Sequence, residues 1–490
     1  MRKLGGHKMK VCKDLKPKKV FEYFEDICSI PHGSQNTKAI SDYCVNFAKE
    51  HGLKYIQDEM NNVILFKEGS KGYENAETII IQGHMDMVCE KENGVDIDFE
   101  KDGLNLFIDG DFLKAKGTTL GGDDGVAVAY ALSILDDDTL AHPPLEVVIT
   151  VDEEIGMLGA EGIDLSMLKG KKLLNIDSDE EGIFLTSCAG GLTAECTLPV
   201  TRKSADGIEY ELKITGLQGG HSGSEIHKGH GNAIMLMGRL LKQLADKMDI
   251  SLVTLGGGLK DNAIPRETVC TILTDEANEA ELLAFVKEYE ADLKNEYHIS
   301  DADVSVLCTK KKHTTDETLD RTSFVKVLFM LRNLPCGVQH MSMDIPGLVE
   351  TSLNAGIMTL SEDTFALSFS VRSSVTSRKY EVTDRLTFVT EFLGGSVNIS
   401  GDYPAWEYKA ESKMRDLMVE TYRDLFQKEP QIQAIHAGLE CGIFSGKIEG
   451  LDCISFGPAN FDIHTPKERL SISSTERVWN LIVEFLKRSK

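Results

Sequence analysis

The chain of 490 residues is 27% charged and 41% hydrophobic, an ordinary globular composition that can bury a sizeable core without disulfides. Its 78 acidic side chains outnumber its 53 basic ones, which gives a formal net charge of −25. Such a surface repels phosphate backbones, so nucleic acid is excluded as a partner. No stretch of the chain approaches the ~18 consecutive apolar residues that predict a membrane span.

The cysteines and the first residues predict a cytoplasmic protein. Eleven cysteines are spread along the chain without a CxxC pair, which indicates reduced thiols rather than disulfides or a zinc ribbon. The first residues are basic, but no apolar run of signal-peptide length follows them. We therefore expect a cytoplasmic protein with no membrane contact.

The first third of the chain alternates between helix and strand patterns. Apolar residues recur at helical spacing between residues 18 and 51. The continuous apolar run at residues 78–81 predicts a strand that is buried on both faces, and residues 145–151 and 172–176 predict two further strands. A helix of small residues is predicted at residues 124–135. This alternation predicts an α/β domain with a mainly parallel sheet.

The pattern changes after the Gly190-Gly191 pair. Alternating strand patterns separated by long helices follow as far as about residue 398, which is typical of an α+β unit. The remaining residues return to helix, strand and helix. We therefore predict a discontinuous domain of residues 1–190 and 399–490, interrupted by an inserted α+β domain of residues 191–398.

Side chains that bind metals follow the ends of these three predicted strands. His84 and Asp86 come after the first strand, Glu153 and Glu154 after the second, and Asp177 after the third. The carboxyl ends of strands in open α/β sheets are where such folds build their sites. Each group alone is a weak signal, since a histidine at a strand end is usually only hydrogen-bonded and an acidic run is usually solvated.

Two further segments supply the remaining candidates. Asp123 and Asp124 form a glycine-flanked pair before the helix of small residues, and His464 stands in a late segment that begins with Gly457-Pro458. Two histidines and three carboxylates suit two zinc ions that share one bridging carboxylate. An EF-hand loop at Asp177 is excluded, because Cys188 occupies the position that requires a bidentate acid.

The order of these motifs resembles the M20 family of dizinc metallopeptidases. The segments Gly219–His227 and Ile435–Gly442 resemble, more narrowly, its aminoacyl-histidine (Xaa-His) dipeptidase branch. The similarity extends over essentially the whole chain. The family motifs are matched by His84-x-Asp86, Gly122-Asp123-Asp124-Gly125, Asp152-Glu153-Glu154-x-Gly156, Asn175-x-Asp177-Ser178 and Gly457-Pro458 with His464-Thr465-Pro466.

The resemblance implies a fold and a ligand set. It implies a mainly parallel-sheet, dizinc exopeptidase-like catalytic domain with an inserted α+β lid and dimerisation domain. Each subunit would hold two Zn²⁺ ions, although Mn²⁺ or Co²⁺ could serve. Asp124 is the alternative for the bridging position. The implied ligands are His84 and Asp177 for one ion, Glu154 and His464 for the other, and Asp123 as the bridge between them.

The resemblance also implies catalytic and substrate-binding residues. Glu153 would be the general base, which passes a proton from the attacking water to the leaving amine. Asp86 would hold the His84 ring, and His221 would stabilise the oxyanion from the other subunit of a homodimer. His227 and His230 are predicted to be structural or exposed, and His436 is unassigned. The implied substrate-binding residues are Arg372, which suits a carboxylate, together with Asn262 and Glu440.

The leading hypothesis is a cytosolic metallodipeptidase that hydrolyses unblocked dipeptides and prefers a C-terminal histidine, as in carnosine (β-alanyl-histidine). An N-acyl-amino-acid deacylase or a tripeptidase with the same metal site is the alternative among enzymes. A hypothesis of another class is a catalytically inactive metal-binding scaffold. Retention of the general base Glu153 argues against that hypothesis.

Overall fold

The computed structural model describes residues 10–490 as a mixed α/β structure. The helices are α1 (Lys18–Cys28), α2 (Lys38–Glu50), α3 (Gly122–Leu135), α4 (Leu158–Gly162), α5 (Ala233–Lys247), α6 (Glu279–Glu296), α7 (Arg321–Asn333), α8 (Thr376–Phe392), α9 (Lys413–Phe426), α10 (Glu440–Lys447) and α11 (Ile472–Arg488). The strands are β1 (Lys54–Gln57), β2 (Val63–Lys67), β3 (Ile79–His84), β4 (Leu106–Asp109), β5 (Phe112–Ala115), β6 (Leu145–Thr150), β7 (Lys172–Asn175), β8 (Ile183–Cys188), β9 (Gly190–Pro199), β10 (Arg202–Thr215), β11 (Gly220–His221), β12 (Ser251–Gly257), β13 (Ala263–Ile264), β14 (Thr268–Thr274), β15 (Ser305–Leu319), β16 (Gly337–Met341), β17 (Val349–Leu360), β18 (Thr364–Ser373), β19 (Ser396–Tyr403), β20 (Gln431–Ile435), β21 (Asp452–Ser455), β22 (Asn460–Phe461) and β23 (Arg469–Ser471).

The described residues divide into two compact units, each with its own hydrophobic core. The first unit contains the described residues up to Ser187, together with Tyr408–Ala434 and Leu439–Lys490. The second unit contains Cys188–Glu407 and the short segment Ile435–Gly438. This division differs from the predicted bounds of the insertion at both of its ends.

Strand β19 explains the larger of these differences. It runs on to Tyr403 and pairs with β9 from Ser396 opposite Thr197 to Tyr403 opposite Gly191, so residues 399–403 belong to the sheet of the second unit. Most of its side chains are exposed, so it lacks the apolar alternation from which a strand can be predicted.

The first unit is built on an eight-stranded sheet in the order β1-β2-β6-β3-β7-β21-β8-β20. The four central strands β6, β3, β7 and β21 are parallel, and the outer strands that pair with them, β2 and β8, are antiparallel. The apolar run Ile79-Ile80-Ile81 is entirely buried within β3, as expected for a central parallel strand.

Helix α3 packs against β3 and α1, and its side chains after Gly125 are buried on all sides. Small residues are needed because the neighbours are close: a Cβ added at Gly125 would lie 3.3 Å from the Phe24 ring. The backbone angles of Asp123 and Asp124 are not helical, so the regular helix begins after them. Both carboxylates therefore lie at its start, beside β3.

The second unit contains a nine-stranded antiparallel sheet and helices α5 to α8. The order of the sheet is β15-β10-β14-β12-β17-β18-β9-β19, with β16 also paired to β17. Asn232 caps the start of helix α5, because its side chain accepts hydrogen bonds from the backbone N–H groups of Ile234 and Met235 in the first turn. This is the α+β architecture predicted for the insertion. Between residues 10 and 490, no helix has both the length and the apolar character that crossing a membrane requires.

Candidate metal centre

The structure brings the five predicted metal ligands together at one edge of the parallel sheet. His84 ends β3, Glu154 follows β6, and Asp177 follows β7. Because these three strands are parallel neighbours, their carboxyl ends meet. Asp123 comes from the start of α3. His464 comes from the loop between the antiparallel strands β22 and β23.

Asp123 lies between the two histidines. Its Oδ1 is 3.1 Å from His84 Nε2, and its Oδ2 is 3.1 Å from His464 Nε2. Each histidine also faces a second carboxylate: Asp177 Oδ1 is 3.8 Å from His84 Nε2, and Glu154 Oε1 is 3.0 Å from His464 Nε2. Three sets of three possible ligands have atoms within 4.8 Å of one another; two of them share Asp123, and the third is His84, Glu153 and Glu154.

Asp124 faces away from this cluster. Its Oδ2 accepts a hydrogen bond from the backbone N–H of His84 at 3.2 Å. Burial raises the pKa of this carboxyl well above its ordinary value. The geometry thus favours Asp123 over Asp124 for the bridging position.

The charges of the cluster fit a divalent cation. Glu154 Oε1 is buried and lies 3.0 Å from His464 Nε2, so the two potential ligands stand side by side. Burial, followed by the charge of Asp124, raises the pKa of Asp177 well above its ordinary value. Burial also raises the pKa of Glu153 to about 8, and the charges of nearby carboxylates add to this effect. Carboxylate oxygens and imidazole nitrogens crowded in this way form a donor set for zinc or a similar metal.

The carboxylates around both histidines favour the charged, doubly protonated imidazole when no metal is bound. Burial disfavours the charged ring of His84, but hydrogen bonds to Asp123 and Asp86 raise its pKa well above the ordinary value. Hydrogen bonds to Asp123 and Glu154 raise the pKa of His464 to about 10. A metal ion would replace these protons, because histidine binds metals in its neutral form.

Asp86 contacts His84 and also fixes the turn after β6. Its backbone carbonyl oxygen is 3.0 Å from His84 Nδ1, and its Oδ1 is 3.5 Å from the same nitrogen. The carboxylate accepts hydrogen bonds from the Ser34 hydroxyl at 2.8 Å and from the backbone N–H of Glu153 at 3.1 Å. Ser34 was not among the residues predicted from the sequence.

The turn after β6 separates the adjacent acids Glu153 and Glu154. Asp152 has a φ of 55°, a left-handed conformation that aspartate tolerates better than most residues. Asp152 Oδ1 also accepts a hydrogen bond from the backbone N–H of Gln35 at 2.6 Å, which anchors the turn. Glu154 faces His464, as the resemblance requires of a ligand.

Glu440 is completely buried at the start of α10. Its Oε2 accepts hydrogen bonds from the Thr150 hydroxyl, at 2.8 Å, and from the amide of Gln82. Its Oε1 has no hydrogen-bond partner, and burial raises its pKa to about 7. The predicted contact with a substrate amino group would have to use this oxygen, and it stays a prediction.

The other predicted residues, His221, Arg372 and Asn262, belong to the second unit. Arg372 Nη1 donates to the Tyr403 hydroxyl at 3.1 Å, and its buried Nε has no acceptor. Burial and the charge of Arg372 lower the pKa of His221, whose Nδ1 accepts a hydrogen bond from the Gly223 N–H at 3.2 Å. Its Nε2 therefore carries the hydrogen of the neutral ring. Asn262 is exposed.

Three further histidines of the second unit have different surroundings. His436 is buried, its Nε2 is 2.8 Å from Ser352 Oγ, and its Nδ1 has no hydrogen-bond partner. Burial, followed by the charge of Arg372, lowers the pKa of His436 to about 3, so its ring is neutral. His230 Nδ1 lies 3.2 Å from a backbone carbonyl, and His227 is exposed.

Sequence reasoning did not single out Glu468, although only 3% of it is exposed and it contacts the Asp123 segment. It stands in a Lys467-Glu468-Arg469 run, and such a run is typical of a solvated surface. The pair Gly121-Gly122, which directly precedes Asp123, could have indicated a backbone whose N–H groups bind a carboxylate.

Comparisons with known proteins place the chain among peptidases. Residues 80–488 match the sequence profile of peptidase family M20/M25/M40. The cytosol non-specific dipeptidase of Escherichia coli (strain K12) is 38% identical over 477 residues, which cover 96% of this chain and 98% of that protein. The crystal structure of aminoacylhistidine dipeptidase from Vibrio alginolyticus matches with a TM-score of 0.91 and 36% identity over 97% of each chain. Aminopeptidase PepT from Bacillus cereus shares the fold alone, with a TM-score of 0.55 and 13% identity over 97% of this chain and 99% of that one.

Proposed function

The chain belongs to peptidase family M20/M25/M40, and from that membership we propose that it is a dinuclear metallodipeptidase acting on unblocked dipeptides. The observation that carries the proposal is the position of Asp123 between His84 and His464, each with a further carboxylate beside it. The two similar enzymes are named for dipeptide substrates, one non-specific and one for aminoacyl-histidine. We therefore include dipeptides with a C-terminal histidine, such as carnosine, as favoured substrates.

The two ligand sets account for two metal ions in each subunit. His84, Asp123 and Asp177 would hold one ion, and Asp123, Glu154 and His464 would hold the other. Mixed nitrogen and oxygen donors make Zn²⁺ the proposed metal, with Mn²⁺ or Co²⁺ as substitutes. When bound, such ions lower the pKa of water and polarise a carbonyl oxygen.

Glu153 is the proposed general base. Its carboxylate would accept a proton from the attacking water and return it to the amine that leaves. It follows the Asp152 turn, and Asp86 holds its backbone N–H, so its attachment to the sheet is rigid. His221 would donate its Nε2–H to the oxyanion, and Arg372 would bind the substrate carboxylate. Asn262 and Glu440 complete the proposed substrate contacts.

A homodimer in the cytoplasm is also proposed. The support for a dimer is the resemblance of the His221 segment to a residue supplied by the partner subunit. Helix α8 also exposes 70% of Phe388 and 80% of Phe392, one turn apart, and large apolar side chains exposed together mark interaction surfaces. Sedimentation velocity should give twice the mass of one chain, and replacing both phenylalanines with serine should give the monomer mass.

A mixed substrate pool tests the proposed activity. The zinc-loaded protein is incubated with Xaa-His dipeptides, other dipeptides, tripeptides and N-acetyl amino acids, and mass spectrometry follows each member. We expect consumption of the dipeptides, led by those that end in histidine. Selective loss of N-acetyl amino acids or of tripeptides would move the function to a deacylase or a tripeptidase.

A matched variant tests the base. Glu153→Gln keeps the size of the side chain but cannot accept the proton, so it should lower kcat by about 10²- to 10⁴-fold. Its metal content should equal that of the wild type. Unchanged turnover in this variant would contradict the role of Glu153.

A further inference from the structure

The carboxylate of Glu468 lies against the backbone of the segment that carries Asp123. The side chain is 3% exposed and comes from the same loop as His464, between β22 and β23. It accepts hydrogen bonds from the backbone N–H groups of Leu120 (2.6 Å), Gly121 (3.1 Å), Gly122 (2.8 Å) and Asp123 (3.4 Å), and from Asn460 Nδ2 (3.2 Å).

Two glycines make this arrangement possible. Gly121 has a φ of 69°, and successive N–H groups near such a turn point towards one anion. A Cβ at Gly122 would lie 2.9 Å from Asn460 Nδ2 and 3.1 Å from Glu468 Oε1, closer than almost all side chains allow. A glycine at position 122 therefore leaves the space that the Glu468 carboxylate occupies.

We propose that Glu468 is a positioning residue that holds Asp123 between the two histidines and thereby sets the affinity of the site for metal. It joins the loop of His464 directly to the backbone of Asp123, the ligand that both sets share. A shift of this backbone moves Asp123 relative to His84 and His464 at once. The inference rests on the proposed metal site, but not on the proposed substrate.

Glutamine at position 468 would disturb the contact without changing its size. Its single carbonyl oxygen can accept from some of the N–H groups, but its NH₂ group would face the others, donor against donor. Buried partners that orient metal ligands typically contribute about 10- to 100-fold to metal affinity. We expect Glu468→Gln to weaken metal binding by that factor.

Glu146 provides a matched control within the same unit. It is 4% exposed and accepts hydrogen bonds from the backbone N–H groups of Lys169 (2.9 Å) and Gly170 (3.0 Å), which are not part of the ligand cluster. Glu146→Gln removes the same kind of buried contact. It should lower the melting temperature but leave metal affinity as in the wild type.

The experiment titrates metal-free wild type, Glu468→Gln and Glu146→Gln with Zn²⁺ against a chromogenic chelator, and records the absorption spectrum of each Co²⁺-loaded protein. Thermal unfolding without metal gives the stability of each. A weaker Zn²⁺ affinity and an altered Co²⁺ spectrum in Glu468→Gln alone would support the inference. Equal affinity in Glu468→Gln and wild type would overturn it, as would equal weakening in the control.

A milder variant covers the case in which Glu468→Gln does not fold. Asn460→Ala removes one donor to Glu468 and leaves the carboxylate in place, so metal affinity should fall by about a few-fold. Unchanged affinity in this variant, when Glu468→Gln is unfolded, would also overturn the inference. A wild-type protein that binds no Zn²⁺ would instead overturn the proposed metalloenzyme itself.

Discussion

Asp123 is the side chain on which both candidate metal sets depend. Each of its oxygens lies 3.1 Å from a different imidazole nitrogen. Burial works against the charge of this carboxyl, but hydrogen bonds from His464 and His84 hold its pKa below the ordinary value. Its charged form is therefore favoured, whereas burial raises the pKa of Asp124 and of Asp177.

Replacing Asp123 with asparagine should affect both sets at once. The amide has no charge and only one ligating oxygen, so we expect at most one metal ion per chain and a loss of kcat/KM of at least about 100-fold. Metal content by mass spectrometry and steady-state kinetics check this. The adjacent Asp124→Asn is the control and should keep more metal, because Asp124 contacts backbone rather than histidine. Equal losses in the two variants would contradict the bridging role.

The metal-free protein should become less stable as the pH rises. Burial raises the pKa of Glu153 from 4.5 to about 8, and hydrogen bonds to Asp123 and Glu154 raise that of His464 from 6.5 to about 10. Between pH 4.5 and about pH 10, the native state therefore binds more protons than the unfolded chain. The free energy of unfolding consequently falls as the pH increases over this range. Asp123 has a lowered pKa, so its contribution to the stability of the native state is lost only at acidic pH. Calorimetry with a chelator should show a lower melting temperature at pH 9 than at pH 6.

Two controls separate this effect from general alkaline unfolding. Glu153→Gln does not titrate, so its melting temperature should fall less between the two pH values. Saturating metal should also reduce the fall, because bound cations offset the repulsion between carboxylates. A melting temperature that is the same at pH 6 and pH 9 without metal would be the contrary result.

The residues that could be predicted from the sequence are those with distinctive chemistry at strand ends. His84, Glu154 and Asp177 follow buried strands, and Asp123 lies between glycines. Glu468 was not predicted, because its partners are mostly backbone N–H groups and the pair Gly121-Gly122 does not indicate which carboxylate they receive. The roles of the predicted residues in catalysis stay predictions.

At the scale of elements, the contact between β3 and α3 places His84. Gly83 allows it: an added Cβ would lie 2.5 Å from both Ala127 Cβ and Asp124 Oδ2. The helix can therefore approach the strand closely enough for Asp124 to accept the His84 N–H. The absence of a side chain at Gly83 thus determines both the packing of α3 on β3 and the position of His84.

Gly83→Ala should separate this strand from its helix. Overpacking of this kind destabilises by about 1–3 kcal/mol, and the shift of His84 should weaken metal binding as well. Gly256→Ala in β12 is the control, since its Cβ would meet only Met358 O, at 3.6 Å. Urea unfolding and Zn²⁺ titration of both variants check the prediction. Metal affinity equal to that of the wild type in Gly83→Ala would contradict the predicted effect of moving His84.

Elements could be predicted where burial imposes a pattern. The run Ile79-Ile80-Ile81 indicated a central strand because both of its faces are covered. The edge strands β15 and β19 expose most of their side chains, and without apolar alternation neither could be predicted. The end of the insertion was misplaced for the same reason.

At the scale of the whole molecule, family membership and fold class are confirmed. The two units have separate cores, and the five candidate metal ligands all belong to the first unit. The bounds of the units depend on β19 and on the segment 435–438, where the Ala189 N–H donates to the carbonyl oxygens of Ile435 and Ala437. Such a contact between distant residues has no local sequence signal.

Calorimetry should resolve two unfolding transitions, because separate cores permit separate unfolding. Adding a chelator to the zinc-loaded protein should lower the temperature of one transition and leave the other in place, since only one unit would bind metal. His464→Ala should lower the same transition in the presence of zinc. Equal shifts of both transitions on chelation would contradict the assignment of the metal centre to the first unit.

The sequence position of His464 determines when the second ligand set becomes available during synthesis. It pairs with Asp123 across a separation of 341 residues, and Glu468 reaches the same segment across 345. A nascent chain that ends before these residues contains His84, Asp123 and Asp177 but not the second set. Strand β21 lies between β7 and β8, so the sheet of the first unit is completed only after residue 455 has left the ribosome. The ligand set of Asp123, Glu154 and His464 is therefore completed last, by the loop that follows β21 and β22.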